Sequence, residues 1–299
     1  MSWRGASRLL ASLLLTGAVV PVIALSVSAP AGADAPARLA GFYLDLGASA
    51  SVGYQPTDTA PHGEATTDGY ANDIVSYEAD RGVTLDLTEL GCPGETTTTM
   101  VNGDDHCYHE DGSQLADAMS FLRAHDSYEG IVTVDLGFND IRHCLDEGSL
   151  SESCVDTKID LLQEQLPFIL QSLQGAAGPD VSFVGVGHYD PYLADAISGK
   201  LGARFASHSE TVIDHLNDAL STIYADADIP MATVSDFFDG QSRAPVDLEG
   251  VGLVADNVAH ACELTWMCAP KPYGPNMHPN DAGYLAIASA IESKLETPW

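Results

Sequence analysis

The chain has 299 residues, 45% hydrophobic and 18% charged, and its 43 acids against 12 Lys and Arg give a formal charge of −31. It is too apolar for intrinsic disorder and long enough to bury a large core. So acidic a chain excludes nucleic acid and disfavours anionic lipid as partners, because both are bound through clustered Lys and Arg.

Arg4 and Arg8 precede an uncharged stretch from Leu9 to Ala33 that closes on Ala31-Gly32-Ala33, a small-residue cleavage pattern. Residues 1–33 therefore read as a secretory signal peptide, removed before Asp34 to leave residues 34–299 as a single domain. An uncleaved membrane anchor is the rival reading; Pro21, Pro30 and the cleavage pattern disfavour it. No later segment is apolar enough to cross a bilayer, so no stable membrane insertion is expected after cleavage.

Phe42–Leu46 reads as a first strand. Asp68–Arg81 reads as a helix with Tyr70, Ile74 and Tyr77 on one face and Gly82 as its stop. Val83–Leu90 is a second strand and Ser113–His125 a second helix, carrying Leu115, Met119 and Leu122. Ile131–Leu136 is a third strand, and Val155–Leu173 a long helix with a kink expected at Pro167. Val181–Val186 is a fourth strand, Ala203–Ala225 a helix, and Pro230–Val234 a short fifth strand. Asp281–Leu295 is the last helix, with Tyr284, Ile287, Ala288, Ile291 and Leu295 facing inward. The loops 54–67, 98–112, 142–154 and 240–277 carry no readable periodicity. Alternation of strands and helices implies a parallel sheet covered on both faces. Ligands on such sheets bind at the carboxyl ends of the strands.

The cysteines are Cys92, Cys107, Cys144, Cys154, Cys262 and Cys268. Among the pairings they allow, the simplest in sequence order is 92–107, 144–154 and 262–268, each closing a short local loop. An oxidising compartment makes these plausible disulfides. The absence of any Cys-x-x-Cys pair weakens a metal reading.

Four segments fall where strands end or the last helix begins. They are Gly47-Ala48-Ser49-Ala50, Gly91-Cys92-Pro93-Gly94-Glu95-Thr96, Gly137-Phe138-Asn139-Asp140 and Met277-His278-Pro279-Asn280. A parallel sheet brings them to one edge, which then holds a Ser, a Gly backbone N–H, an Asn amide and a His. Acyl transfer needs a nucleophile, a general base and donors aimed at the oxyanion.

In the order and spacing of these blocks, from Gly41 to about Ile291, the chain resembles the SGNH (GDSL-type) hydrolase superfamily, more closely its secreted bacterial esterases and lipases. The resemblance implies a three-layer α/β/α sandwich with a flavodoxin-like, mostly parallel five-stranded sheet. It implies Ser49 as nucleophile, His278 as general base, and an oxyanion hole of Ser49, Gly94 and Asn139. No cofactor and no metal are implied; the expected partner is a small-molecule or lipid ester, and the expected state is a secreted, extracellular monomer.

The chain departs from the family pattern twice. Ala48 stands where the family's first block usually has Asp. Pro275 stands where its triad acid usually sits, and no carboxylate lies between Glu263 and His278. His278 therefore needs another acceptor, either a backbone carbonyl in the 271–275 segment, Pro275 included, or the side-chain oxygen of Asn276. The expectation is a Ser49–His278 dyad.

Several residues have competing readings. Ser49 as a mere helix cap, His278 as a cap of the last helix, Asn139 as a turn residue and Gly94 as a loop glycine are the plain ones. His188 with Asp190 is the rival base, and His188 and Tyr189 are candidate substrate contacts. Asp45 and Asp135 interrupt apolar strands and are expected either at an exposed edge or in a buried hydrogen bond to a loop. Asp104-Asp105 reads as solvated surface rather than a Ca²⁺ site. The competing functions are an inactive binding module on the same fold, a polysaccharide O-acetyl esterase, and calcium-dependent adhesion.

Overall fold

The computed structural model describes residues 38–104, 106–108, 112–148 and 151–295. Residues 1–33, read as a signal peptide, and Asp105 lie outside them. The strands are β1 (Arg38–Gly47), β2 (Val83–Glu89), β3 (Gly130–Asp135), β4 (Val181–Val186) and β5 (Met231–Ala232). They form one sheet in the order β2-β1-β3-β4-β5, and all neighbours run parallel. The chain adds β2 on one side of β1 and then crosses to the other side for β3. That reversal opens a crevice beyond the ends of β1 and β3, the usual ligand position on such sheets.

Alternate residues of β1 feed two cores, as the period of a strand requires. Phe42, Leu44 and Leu46 pack into a cluster with Leu115 and Leu122 of α3 (Gln114–Ala124), Leu162 and Leu166 of α5 (Glu152–Ala176), and Leu216 and Leu220 of α6 (Gly199–Asp226). Tyr43 joins Ile74 of α1 (Tyr70–Asp80) and Tyr284 and Ile287 of α9 (Asp281–Glu292) on the opposite face. This is a three-layer α/β/α sandwich. Shorter helices are α2 (Thr97–Asn102), α4 (Phe138–Arg142), α7 (Val234–Phe237) and α8 (Asp256–Glu263).

The long elements lie within a few residues of their sequence readings, and the local signals act as expected. Ser113 caps α3 by accepting Ala116 N–H, and Asn280 caps α9 by accepting Gly283 N–H. The five residues expected to face inward on the last helix are all buried, although α9 ends at Glu292 and Leu295 follows it. The cysteines pair 92–107, 144–154 and 262–268.

Three expectations about these elements are corrected. Tyr77 is 51% exposed, because the buried face of α1 is centred on Ala71, Ile74 and Glu78, and Arg81 lies over the Tyr77 ring instead. Pro167, where a kink is expected, lies inside α5, which continues on both sides of it. The fifth strand shrinks to two residues, since Val234 already starts α7. The 240–277 segment holds an antiparallel hairpin, β6 (Pro245–Leu248) with β7 (Gly252–Ala255), followed by α8. Its strands are too short for periodicity to reveal.

Asp45 is neither at an edge nor bonded to a loop, because β1 has a neighbour on each side. It is fully buried, and its Oδ1 accepts the hydroxyls of Thr133 on β3 at 2.6 Å and of Tyr70 on α1 at 2.8 Å. Its Oδ2 has no partner among the described residues. Burial holds this carboxyl well above the ordinary range, against the lowering effect of the two hydroxyls. The folded state therefore keeps a proton that the unfolded chain releases first, so this group contributes stability at low pH that is lost as pH rises. Urea unfolding of Asp45→Asn between pH 4 and 7 is expected to show a flatter stability profile than the unsubstituted chain. An unchanged slope would contradict the assignment.

Candidate functional site

β1 ends in a glycine for a steric reason. Gly47 has φ of 141°, and a Cβ there would lie 2.2 Å from the Asp135 carbonyl oxygen of β3. The peptide is held as well as turned. Gln114, fully buried in the first turn of α3, accepts Gly47 N–H at 2.7 Å and donates to Gly47 C=O at 2.9 Å. The same amide donates to Glu95 Oε2 at 2.8 Å, tying the loop after β2 to the end of β1. A second tie joins that loop to the segment after β3. The Asp140 carboxylate accepts the Thr97 hydroxyl at 2.6 Å and the Thr97 N–H at 3.2 Å.

On this platform Ser49 starts a single 3-10 turn, Ala50–Val52, yet its side chain makes no capping bond. Its Oγ lies 3.0 Å from His278 Nε2 instead. His278 is likewise free of capping duty, since Asn280 caps α9. Its Nδ1 lies 2.6 Å from Asn276 Oδ1, which also accepts the His278 backbone N–H at 3.0 Å. Asn276 Nδ2 donates to the His62 carbonyl at 3.2 Å. Two donors on one side and a carbonyl on the other assign the amide orientation and place the imidazole proton on Nδ1, leaving Nε2 to accept from the serine. The backbone carbonyls of 271–275, Pro275 included, make no bond to His278 among the described residues. The Tyr54 ring packs 4.7 Å from the imidazole. Burial, and then the positive charge of Arg142, lower the His278 pKa to about 4.

Around Ser49 three donors remain uncommitted. The N–H groups of Ser49 and Gly94 make no backbone hydrogen bond among the described residues. Asn139 donates one amide hydrogen to the Glu95 carbonyl at 3.1 Å and keeps the other. Gly94 has φ of 93°, with open space where a side chain would be. Ser49 and His278 line two connected spaces. One is a hollow of about 60 Å³ walled by Ala48, Phe138, Asn139, Tyr189 and Met277. The other is an open cleft of about 570 Å³ walled by Tyr54, Gly94, Tyr192, Asp195 and Pro275.

The rival base is not assembled. His188 Nε2 bonds the Leu136 carbonyl at 3.0 Å and its Nδ1 faces Asp135 at 3.6 Å, whereas Asp190 accepts from Ser209 at 2.7 Å and from Tyr192 N–H at 2.9 Å. Asp135 is buried and faces His188 in the loop after β4, but at 3.6 Å the two are too far apart for the hydrogen bond that one of its readings expected. Tyr189 donates to the Met277 carbonyl at 2.8 Å and stacks on Phe238. Both His188 and Tyr189 wall the hollow, where a substrate contact requires them to be.

Two groups among the described residues have the composition of metal ligands. In Cys92, His106 and Cys107 the sulfurs are joined to each other. In Asp239, Asp256 and His260 each imidazole nitrogen faces a different carboxylate at 3.4 Å, and one ligand atom of each residue lies within 4.8 Å of the other two. Asp104 Oδ1 accepts the His106 and Cys107 N–H groups.

Gln114, Glu95 and Arg142 belong to the site and were not singled out from the sequence. The one readable signal was Gln114, a polar side chain beside Leu115 at the start of an inward face. Burial raises the Glu95 carboxyl to about 7.

No protein-family model and no curated protein matches the chain. Solved structures do. Phospholipase A1 from Streptomyces albidoflavus NA297 aligns over 86% of this chain and 100% of its own, at 20% identity and a TM-score of 0.55. An extracellular lipase from Streptomyces rimosus aligns over 86% and 100%, at 18% identity and a TM-score of 0.56.

Two measurements check this geometry. Histidine NMR is expected to place the His278 titration near 4, and Arg142→Gln is expected to move it up by removing a like charge. Gln114→Leu strands buried polar groups of Gly47 and Glu95, and chemical denaturation is expected to show a loss of about 2–3 kcal/mol.

Proposed function

We propose that this chain, which has the fold of the SGNH (GDSL-type) hydrolases, is a secreted serine hydrolase of carboxylic esters. The observation that carries the reading is the relay Ser49 Oγ to His278 Nε2 at 3.0 Å, with Nδ1 held by Asn276 Oδ1 at 2.6 Å. Ser49 attacks the ester carbonyl as His278 takes its proton. The developing oxyanion meets the N–H groups of Ser49 and Gly94 and the free amide hydrogen of Asn139. His278 then protonates the leaving alcohol, and a water activated by the same nitrogen hydrolyses the acyl-enzyme. Every acid–base step uses groups of this chain.

Asn276 replaces a carboxylate. It holds the required tautomer, but a neutral oxygen stabilises the imidazolium less than an anion does. Secretion is supported by the N-terminal pattern of residues 1–33, by the three disulfides and by the absence of a membrane-crossing helix among the described residues.

The test compares the oxidised protein with Ser49→Ala on p-nitrophenyl acetate, butyrate, octanoate and palmitate, and with a serine-reactive phosphonate. Loss of turnover and of labelling at residue 49 is expected. Equal, near-background rates for both proteins would instead favour a binding module on this fold. Asn276→Ala is expected to lower kcat about 10- to 100-fold, since Nδ1–H loses its acceptor. Asn276→Asp is expected to retain turnover and move the acid limb of kcat/KM upward, because a carboxylate stabilises the imidazolium. An intact rate in Asn276→Ala would return the orienting role to a backbone carbonyl.

A further inference from the structure

Arg142 closes α4, three residues after Asn139, so both side chains leave the same helix face. Arg142 is exposed and lines the hollow and the cleft alike, and Ser49, Met277 and His278 are the other residues common to both linings. In a chain of 43 acids it makes no hydrogen bond and no ion pair among the described residues, whereas Arg81 and Arg243 are ion-paired. The carboxylates walling the same spaces do not bond it. Glu95 is engaged by Gln114, Asp135 faces His188, and Asp195 lines the cleft without an ion pair to Arg142.

A cation without a partner among the described residues, in this position, works against the chemistry of a neutral ester. The imidazolium that forms on His278 during acylation is a like charge, and Arg142 already opposes protonation of that ring. The conflict disappears when the substrate brings its own negative charge to the guanidinium. Arg presents a planar fork of donors that matches phosphate and carboxylate bidentately. The overall charge of −31 repels anions at long range, so a local cation is what an anionic substrate needs to seat beside Ser49.

We infer that Arg142 is a specificity-determining residue that selects esters bearing a phosphate or carboxylate close to the scissile bond. The inference rests on the ester-hydrolase reading above. A bound anion neutralises Arg142, so binding and acylation of such a substrate are both favoured over those of its neutral counterpart.

The test measures kcat/KM on matched pairs. One pair is monobutyrin against butyryl-glycerol 3-phosphate, both soluble. The other is monopalmitin against palmitoyl-glycerol 3-phosphate, both in neutral detergent micelles. The anionic member is expected to be preferred tenfold or more. Arg142→Gln is expected to abolish that ratio, and Arg142→Lys, which keeps the charge, to retain most of it and to act as the folding control. Preference in the soluble pair alone identifies a small phosphorylated ester; preference in the micellar pair identifies a lipid headgroup. Equal ratios in the unsubstituted protein and Arg142→Gln, or preference for the neutral members, would overturn the inference while leaving the hydrolase reading intact. If no ester is cleaved and Ser49→Ala behaves like the unsubstituted protein, the hydrolase reading itself fails and the inference with it.

Discussion

The Gln114 carboxamide reads both the N–H and the C=O of Gly47, and with its remaining hydrogen it holds Glu95. That one buried side chain joins the end of β1, the loop after β2 and the start of α3. Hydrogen bonds in so dry a place are strong when complete and costly when broken. The direction in which Ser49 leaves the sheet depends on this clasp. Gly47 supplies a backbone that can turn there, and Gln114 supplies the partners that keep it turned. Asp140 then fixes the neighbouring loop through Thr97. Three segments far apart in sequence thereby form one rigid edge, which catalysis by positioned donors requires.

The electrostatics of that edge are built around a histidine that stays neutral. Burial and Arg142 both oppose its protonation, and the partner on Nδ1 is an amide oxygen rather than a carboxylate. Nε2 is therefore ready to accept the serine proton over a wide pH range, at the cost of a less stabilised imidazolium. The sheet beneath carries the opposite arrangement. Asp45 and Asp135 are carboxyls that burial pushes toward their protonated forms. Beside His278 the edge carries the cation Arg142, in a molecule whose overall charge is strongly negative.

Much of the architecture was legible beforehand because it follows from local periodicity. The reading of β4 as Val181–Val186 matches its residues, and Tyr284, Ile287, Ala288 and Ile291 face inward on α9 as their spacing implies. The pairing of cysteines in sequence order, the simplest of the open choices, is the one found. Short elements escaped. The β6–β7 hairpin and α8 have too few turns or alternations to show a period, and Tyr77 sits at the rim of a helical face whose centre only packing defines. Asp45 reads as an edge residue or a loop-bonded one because strand order and the partners of a buried carboxyl are invisible along the chain.

The amino-acid sequence by itself determined the strand–helix alternation and the four reactive blocks, since side-chain periodicity and turn chemistry are local properties. It also offered Asn276 and a backbone carbonyl as equal candidates to orient His278. Only the tertiary structure sets Asn276 Oδ1 against His278 Nδ1, gives His188 and Asp190 separate partners, and brings Gln114, Glu95 and Arg142 beside Ser49. The reason is physical. Hydrogen bonds such as those of Gln114 to Gly47 span 67 positions, and that of His278 to Ser49 spans 229. No local pattern encodes a distance that only the folded sheet closes.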